Sequence, residues 1–189
     1  VFASTQVSVI AFLVVYLEDD LGFSLVDAGL LLAVGTACGA VGRIAWGLLA
    51  DATARPLLVL AGLAAGMTAA SLLLAAAQPG WSFGAVAAVA ALAGITMVGW
   101  NGVYFAEIAR QAPPGLAGTM TGGATFFTYS GPLIVPPLFS LLLGWFGSFA
   151  LNYALAAAAS AAAGLVLWRL HERGRTGSPA VAPKGVTPG

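Results

Sequence analysis

Few side chains in this sequence could do chemistry, and most of those few stand inside long apolar runs. Gln6 lies in the first such run and Arg43 stands eight residues before Asp51. Trp100-Asn101-Gly102-Val103-Tyr104 precedes Glu107 and Arg110, and Thr128-Tyr129-Ser130 runs into Gly131-Pro132. Carboxamides, hydroxyls and aromatic rings together supply donors, acceptors and a ring face, which suits a small polar organic solute. The planar donor fork of Arg43 suits carboxylate or phosphate, so a small organic anion is favoured over a cation. The plainer readings are an arginine snorkelling to lipid headgroups and a Trp-Asn-Tyr group that only bonds helix to helix. Glu107 and Arg110, three apart at a helix end, read as a solvated surface pair. Gln6, Asn101, Tyr129, Arg43, Trp100 and Thr128 form the candidate binding set, with Gln6 near mid-membrane depth.

What is missing narrows the chemistry further. No Asp, Glu or His lies between the ends of any apolar run, so no buried proton-coupling carboxylate is expected. No Gly-x-x-x-x-Gly-Lys phosphate loop is present, which argues against ATP-driven work. The single cysteine, Cys38, cannot form an intrachain disulfide and reads as a small packing residue. Ser130 has no histidine within a membrane run to activate it, since His171 falls beyond the last one. An enzyme is therefore not expected, nor a metal, a cofactor or a nucleic-acid partner.

The elements that must hold these residues are membrane helices. Six apolar blocks, residues 1–17, 28–50, 57–77, 83–106, 116–143 and 149–168, each approach the roughly 20 residues that cross a bilayer. Hydrophobic residues make up 60% of the chain and charged ones 7%, and the mean hydropathy is +0.96. That is far too little charge to coat a soluble domain. The fold class is all-α integral membrane, with residues 1–173 as a six-helix bundle in contact with the lipid bilayer. Residues 174–189, rich in Gly and Pro, are expected to form a disordered tail. The first block is short and opens without Met or a charged leader, so the chain reads as a fragment whose first helix begins earlier.

The charges fix an expected orientation. Arg43, Arg55, Arg110, Arg169, Arg173, Arg175 and Lys184 all fall at one set of block ends, whereas Glu18, Asp19, Asp20 and Asp27 gather at the other. The positive-inside rule puts the basic ends, and both termini, in the cytoplasm. A prokaryotic inner (plasma) membrane is the expected location. Blocks one, two, four and five carry the polar and breaker residues, while three and six are nearly featureless. Polar groups at membrane depth tend to face a bundle interior, so the first set is expected to line a cavity and the second to face lipid. Tyr129 stands beside a Gly-Pro pair expected to break its helix and free carbonyls. A shift of 89 residues lays Ala28-Gly29 on Ala117-Gly118 and Gly42 on Gly131. Two three-helix repeats result, inverted because three spans end on the side opposite their start.

The connection after the second block reads Gly47-Leu48-Leu49-Ala50-Asp51-Ala52-Thr53-Ala54-Arg55. Gly47 allows close approach, and an Asp51–Arg55 pair could latch a neighbouring helix. Gly-x-x-x-Asp-x-x-x-Arg at this place resembles the signature of the major facilitator superfamily (MFS). Gly118, Gly122, Gly123, Gly131-Pro132 and Pro136-Pro137 resemble that superfamily's eleventh helix. Ala52 stands where Arg or Lys is usual, and Ala54 where Gly is usual. The resemblance covers the whole apolar chain as helices 7 to 12. It implies the carboxy-terminal half of a secondary transporter that works by alternating access. A missing N-terminal six-helix half would then be its partner, and a small molecule its substrate. Asp51, Arg55 and Gly47 are the expected gating residues. The alternative is a non-transporting membrane receptor or scaffold that keeps the fold.

Overall fold

A computed structural model describes residues 1–176, and all of the regular structure among them is helical. The helices are α1 (Phe2–Asp19), α2 (Leu25–Thr53), α3 (Pro56–Ala76), α4 (Phe83–Met97), α5 (Trp100–Gln111), α6 (Ala117–Phe146) and α7 (Phe149–Thr176). They make six membrane-length spans, because α4 and α5 form one span, Phe83–Gln111, interrupted at Val98 and Gly99. In hydrocarbon each backbone amide must find its partner within the segment, which is why apolar runs of this length become helices. Their ends follow from local chemistry. Ser24 and Ser82 accept from the amides of Asp27 and Ala85 at the starts of α2 and α4, the usual N-cap arrangement. Pro56 opens α3, where its missing N–H costs nothing. Gly147 closes α6 at φ 60°. α7 continues through Gly174, Arg175 and Thr176. The expected disordered tail, 174–189, falls from residue 177 onward outside the described residues.

Three packings build the bundle. On α2 the buried positions Ala28, Leu31, Gly35, Gly39 and Gly42 recur at a spacing near 3.5 residues and face α4. A Cβ on Gly42 would stand 2.7 Å from the Ile95 carbonyl oxygen, and one on Gly39 would stand 2.8 Å from Val98 Cβ. Bare backbone is what brings these two helices together, as small residues do within membranes. α3 lies along α7, with Gly164 seated over Ala64 and with Leu63, Met67, Ala70 and Leu74 fully buried. α1 packs on α6, where Gly131 abuts the Ser4 hydroxyl and the Phe12 and Phe139 rings stack at 4.4 Å.

These contacts follow the inverted repeat. Exchange of α1-α2-α3 with α4/α5-α6-α7 carries the α2–α4 packing onto α6–α1 and returns α3–α7 to itself. An aromatic cluster of Tyr16, Phe139, Phe149 and Tyr153 closes one end of the bundle, where Tyr16 donates to the Leu74 carbonyl at 2.6 Å. Beside it, partial burial and then the neighbouring Asp19 raise the Asp20 carboxyl above its ordinary range.

Two expectations are corrected here. The third helix does not mainly face outward, because its apolar face is buried against α7 and α4. The Gly131-Pro132 pair does not break its helix either, as α6 runs unbroken through Pro132, Pro136 and Pro137. Each proline removes one amide and tends to kink the helix, but 30 residues leave enough of the ladder to carry the helix past it. The least enclosed helix is α6, whose one buried residue is Phe139.

Candidate functional site

The break that the sequence suggested for α6 occurs instead between α4 and α5. At Val98 and Gly99 the chain stays near helical angles, and the Val98 amide still bonds the Gly94 carbonyl, yet α4 ends there and α5 begins afresh at Trp100. The carbonyls around the break are met by side chains. The Trp46 indole of α2 donates to the Ile95 carbonyl at 2.9 Å, and the Asn101 amide reaches back to the Val98 carbonyl at 3.4 Å. Gly99 is where the indole lies against the backbone, for a Cβ there would stand 2.5 Å from Trp46 Cδ1. Two polar side chains thus repair a defect that lipid could not.

The short helix beyond the break spreads its residues toward three neighbours. Trp100 turns inward, 2% exposed, and its indole donates to Gln6 Oε1 of α1 at 3.0 Å. Asn101 turns to α6 and accepts from the Tyr129 hydroxyl at 3.4 Å. Tyr104 follows on the same side and accepts from the Thr128 hydroxyl at 3.3 Å. Its ring meets Trp100 edge-on, with centroids 5.6 Å apart. Gly102 faces α2, where a Cβ would stand 3.8 Å from Arg43 Cγ. Gln6, Trp100, Asn101, Thr128 and Tyr129 are therefore joined through α5, with Arg43 alongside.

The bonding pattern leaves particular groups unused. Gln6 spends its carbonyl oxygen on Trp100, so its NH2 donors have no partner among the described residues. Arg43 is exposed, and no ion pair among the described residues involves it. Tyr129, at 46% exposure, sits at the open edge of the set. What remains to a visitor is mainly donors and ring faces. Such a set can hold an acceptor-rich, partly aromatic or apolar solute.

Beyond Gly102 the same face of α5 forms one wall of a cleft of about 220 Å³ whose other wall is the end of α2 and the start of α3. Gly47, Asp51 and Ala54 line it opposite Glu107 and Arg110. Asp51 and Arg55 are both exposed, and no ion pair joins them. Arg55 instead borders a separate surface hollow with Trp46 and Thr53. Nor does Asp51 cap the start of α6, whose first turn takes no side-chain cap. Ala54 ends α2 at φ 51°, a left-handed angle that glycine adopts more easily.

Glu107 is not the solvated partner its spacing suggested. It is 9% exposed, and both its oxygens are taken. Oε2 accepts from Arg110 Nε at 2.9 Å, and Oε1 accepts from the Gln111 amide. A buried carboxylate needs such partners. The role of Trp46 gave no sign in composition or motif. The period of small residues on α2 was the one available clue to a tight neighbour in need of a donor.

A sequence model of the Major Facilitator Superfamily matches residues 1–188. No match to an individual curated protein was found. The superfamily consists of membrane transporters, and the six membrane-length helices are of the required kind. The match spans nearly the whole sequence, well beyond the short signature after α2, and on that extent the chain belongs to the Major Facilitator Superfamily.

Proposed function

We propose that this chain supplies helices 7 to 12 of a secondary transporter for a small organic anion, working by alternating access against an N-terminal six-helix half. The observation that carries the reading is the set of unused donors on and beside α5. The Gln6 NH2 group and the Arg43 guanidinium both lie next to this helix without an acceptor among the described residues. A guanidinium in a cavity of low effective dielectric attracts an anion more strongly than one in bulk water. The basic ends of the spans give the orientation, with both termini and the Asp51 connection cytoplasmic.

Asp51, Gly47 and Arg55 act at the cytoplasmic rim in this reading. The α2–α5 cleft holds Asp51 across from the Glu107–Arg110 pair. Closure of the cleft would bring Asp51 to the exposed Arg110. Exposed pairs contribute only about 0.2–1 kcal/mol, enough to bias two near-equal conformers and too little to lock one.

Uptake into proteoliposomes bearing the full-length protein tests the proposal, with small mono- and dicarboxylates and a matched cation as solutes. Arg43→Gln is expected to abolish anion uptake, and Arg43→Lys to restore part of it, because an ammonium lacks the fork geometry. Gln6→Ala is expected mainly to raise KM. Full uptake by Arg43→Gln would make Arg43 a headgroup contact and end the case for an anion. Absence of transport of any solute, with specific binding retained, would favour the receptor reading.

A further inference from the structure

Two hollows on the exposed side of α3 run into one another. The first, of about 490 Å³, lies where α2 meets α3, and Trp46, Thr53 and Arg55 line it. The second, of about 660 Å³, is a groove between α3 and α7, lined on the α7 side from Ala161 to Trp168. Leu58 and Gly62 belong to both. A Cβ on Gly62 would meet nothing within 4 Å, so the floor where the hollows join is bare backbone facing open space.

Polarity is ordered along this path. Thr53 ends α2 and Arg55 precedes α3, and together they form the mouth. Beyond Leu58 the walls are Ala61, Ala65, Ala161 and Leu165. Thr68, at the far end, donates its hydroxyl to the Ala64 carbonyl of its own helix at 2.8 Å and asks nothing of an occupant. Arg55 is exposed and forms no ion pair or side-chain hydrogen bond among the described residues. Arg169 is a second exposed guanidinium of the same kind. It stands one turn beyond Leu165, on the groove face of α7. The seating of Gly164 over Ala64, with the two helices antiparallel, brings Arg169 level with the first turn of α3. Glu172 of α7 is already engaged.

We infer that this path is a binding site for an anionic phospholipid of the leaflet at the Arg55 end. Its phosphate lies between Arg55 and Arg169, and one acyl chain runs over Gly62 into the α3–α7 groove. The planar fork of a guanidinium bonds two phosphate oxygens at once. No carboxylate lines either hollow to receive an amine, which favours a net negative headgroup over a zwitterion. A free phosphate would leave the apolar groove empty, whereas a lipid fills both parts. The length agrees as well. Leu58 to Thr68 is about 15 Å at the rise of an α-helix, half of the roughly 30 Å of hydrocarbon in a bilayer. Trp168, 49% exposed, stands at the mouth end of the groove, where an indole meets the headgroup boundary. In the orientation proposed above, this leaflet is the cytoplasmic one.

The test uses the full-length protein in phosphatidylcholine nanodiscs doped with a phosphatidylglycerol that carries a diazirine on its acyl chain. Light-induced adducts are expected on residues 61–68 and 161–165, removed by excess unlabelled phosphatidylglycerol but not by further phosphatidylcholine. Arg55→Gln should cut the competable labelling about fivefold, the worth of one basic group beside an anionic lipid surface. Arg55→Lys should keep part of it, since the charge stays and the fork goes. Gly62→Leu fills the open floor and should remove the deep adducts without lowering the unfolding temperature. Because that side chain enters empty space, it keeps the proposal testable should Arg55→Gln misfold. Equal competition by phosphatidylcholine, or labelling indifferent to both Arg55→Gln and Gly62→Leu, would overturn the proposal and leave a groove washed by bulk bilayer chains.

Discussion

The α2–α4 contact and the α6–α1 contact occupy matched places in the two repeats, yet the chain builds them by opposite means. On α2 the facing positions are Gly35, Gly39 and Gly42. A shift of 89 residues places Ala124, Thr128 and Gly131 at the same positions of α6. Three glycines in register let α2 approach until backbone touches backbone, with the Gly35 carbonyl occupying the space a Cβ on Gly94 would need. On α6 only Gly131 touches its neighbour in this way, and what it touches is the end of the Ser4 side chain. Thr128 uses its position to bond Tyr104 rather than to close the gap. One repeat therefore spends this face on rigidity, and the other leaves it for polar groups and space. A membrane protein that changes shape needs both kinds of contact, since packed interfaces shift as units rather than deforming smoothly.

The sharpest way to break the comparison is to add a methyl group to each seam. Gly94→Ala and Gly42→Ala both drive a carbon into backbone atoms, which cannot rotate away. Overpacking of this kind costs typically 1–3 kcal/mol and occasionally more. We expect Gly94→Ala at or above the top of that range, with Gly42→Ala next, read as lowered unfolding temperature in detergent micelles. Stability within error of the unsubstituted chain for both would mean that α2 and α4 do not touch as described.

A smaller effect is expected at the break between α4 and α5. Trp46→Phe keeps most of the ring but removes the donor to the Ile95 carbonyl. Loss of one partner of an enclosed hydrogen bond costs about 1–3 kcal/mol. Because the same bond sits beside the turn that aims Trp100 and Asn101, hydrogen exchange at Val98–Asn101 should also quicken. Lower stability without faster exchange there would make Trp46 a packing residue only.

How much of this was legible beforehand differs by level. Six runs of apolar residues gave six spans, because length and hydropathy alone decide what can cross a bilayer. Gln6, Trp100, Asn101, Thr128 and Tyr129 were singled out by depth and polarity, and they lie together for the reason that made them visible: each needs a partner away from lipid. What stayed hidden was tertiary. Gly99 looked like any other glycine in a chain with 25 of them, while Pro132, Pro136 and Pro137 drew attention to a helix that remains whole. Glu107 reads as a surface residue until Arg110 and Gln111 fold over it.

The last and smallest prediction concerns Gly131, the α6 counterpart of Gly42. A methyl group there meets Ser4 Oγ and, next nearest, Ser4 Cβ at 3.7 Å. A serine side chain can turn to another rotamer, and alanine is a better helix former than glycine by about 1 kcal/mol. The two effects oppose each other, so Gly131→Ala is expected to change stability by less than about 1 kcal/mol, against the much larger loss at Gly42. Adding Ser4→Ala removes the obstacle and should make Gly131→Ala stabilising, by up to the propensity difference. The double-mutant cycle thus isolates the close glycine contact of the α6–α1 seam. Equal destabilisation by Gly42→Ala and Gly131→Ala, unrelieved by Ser4→Ala, would mean that the two repeats close equally tightly and that the open face of α6 does not arise from its sequence.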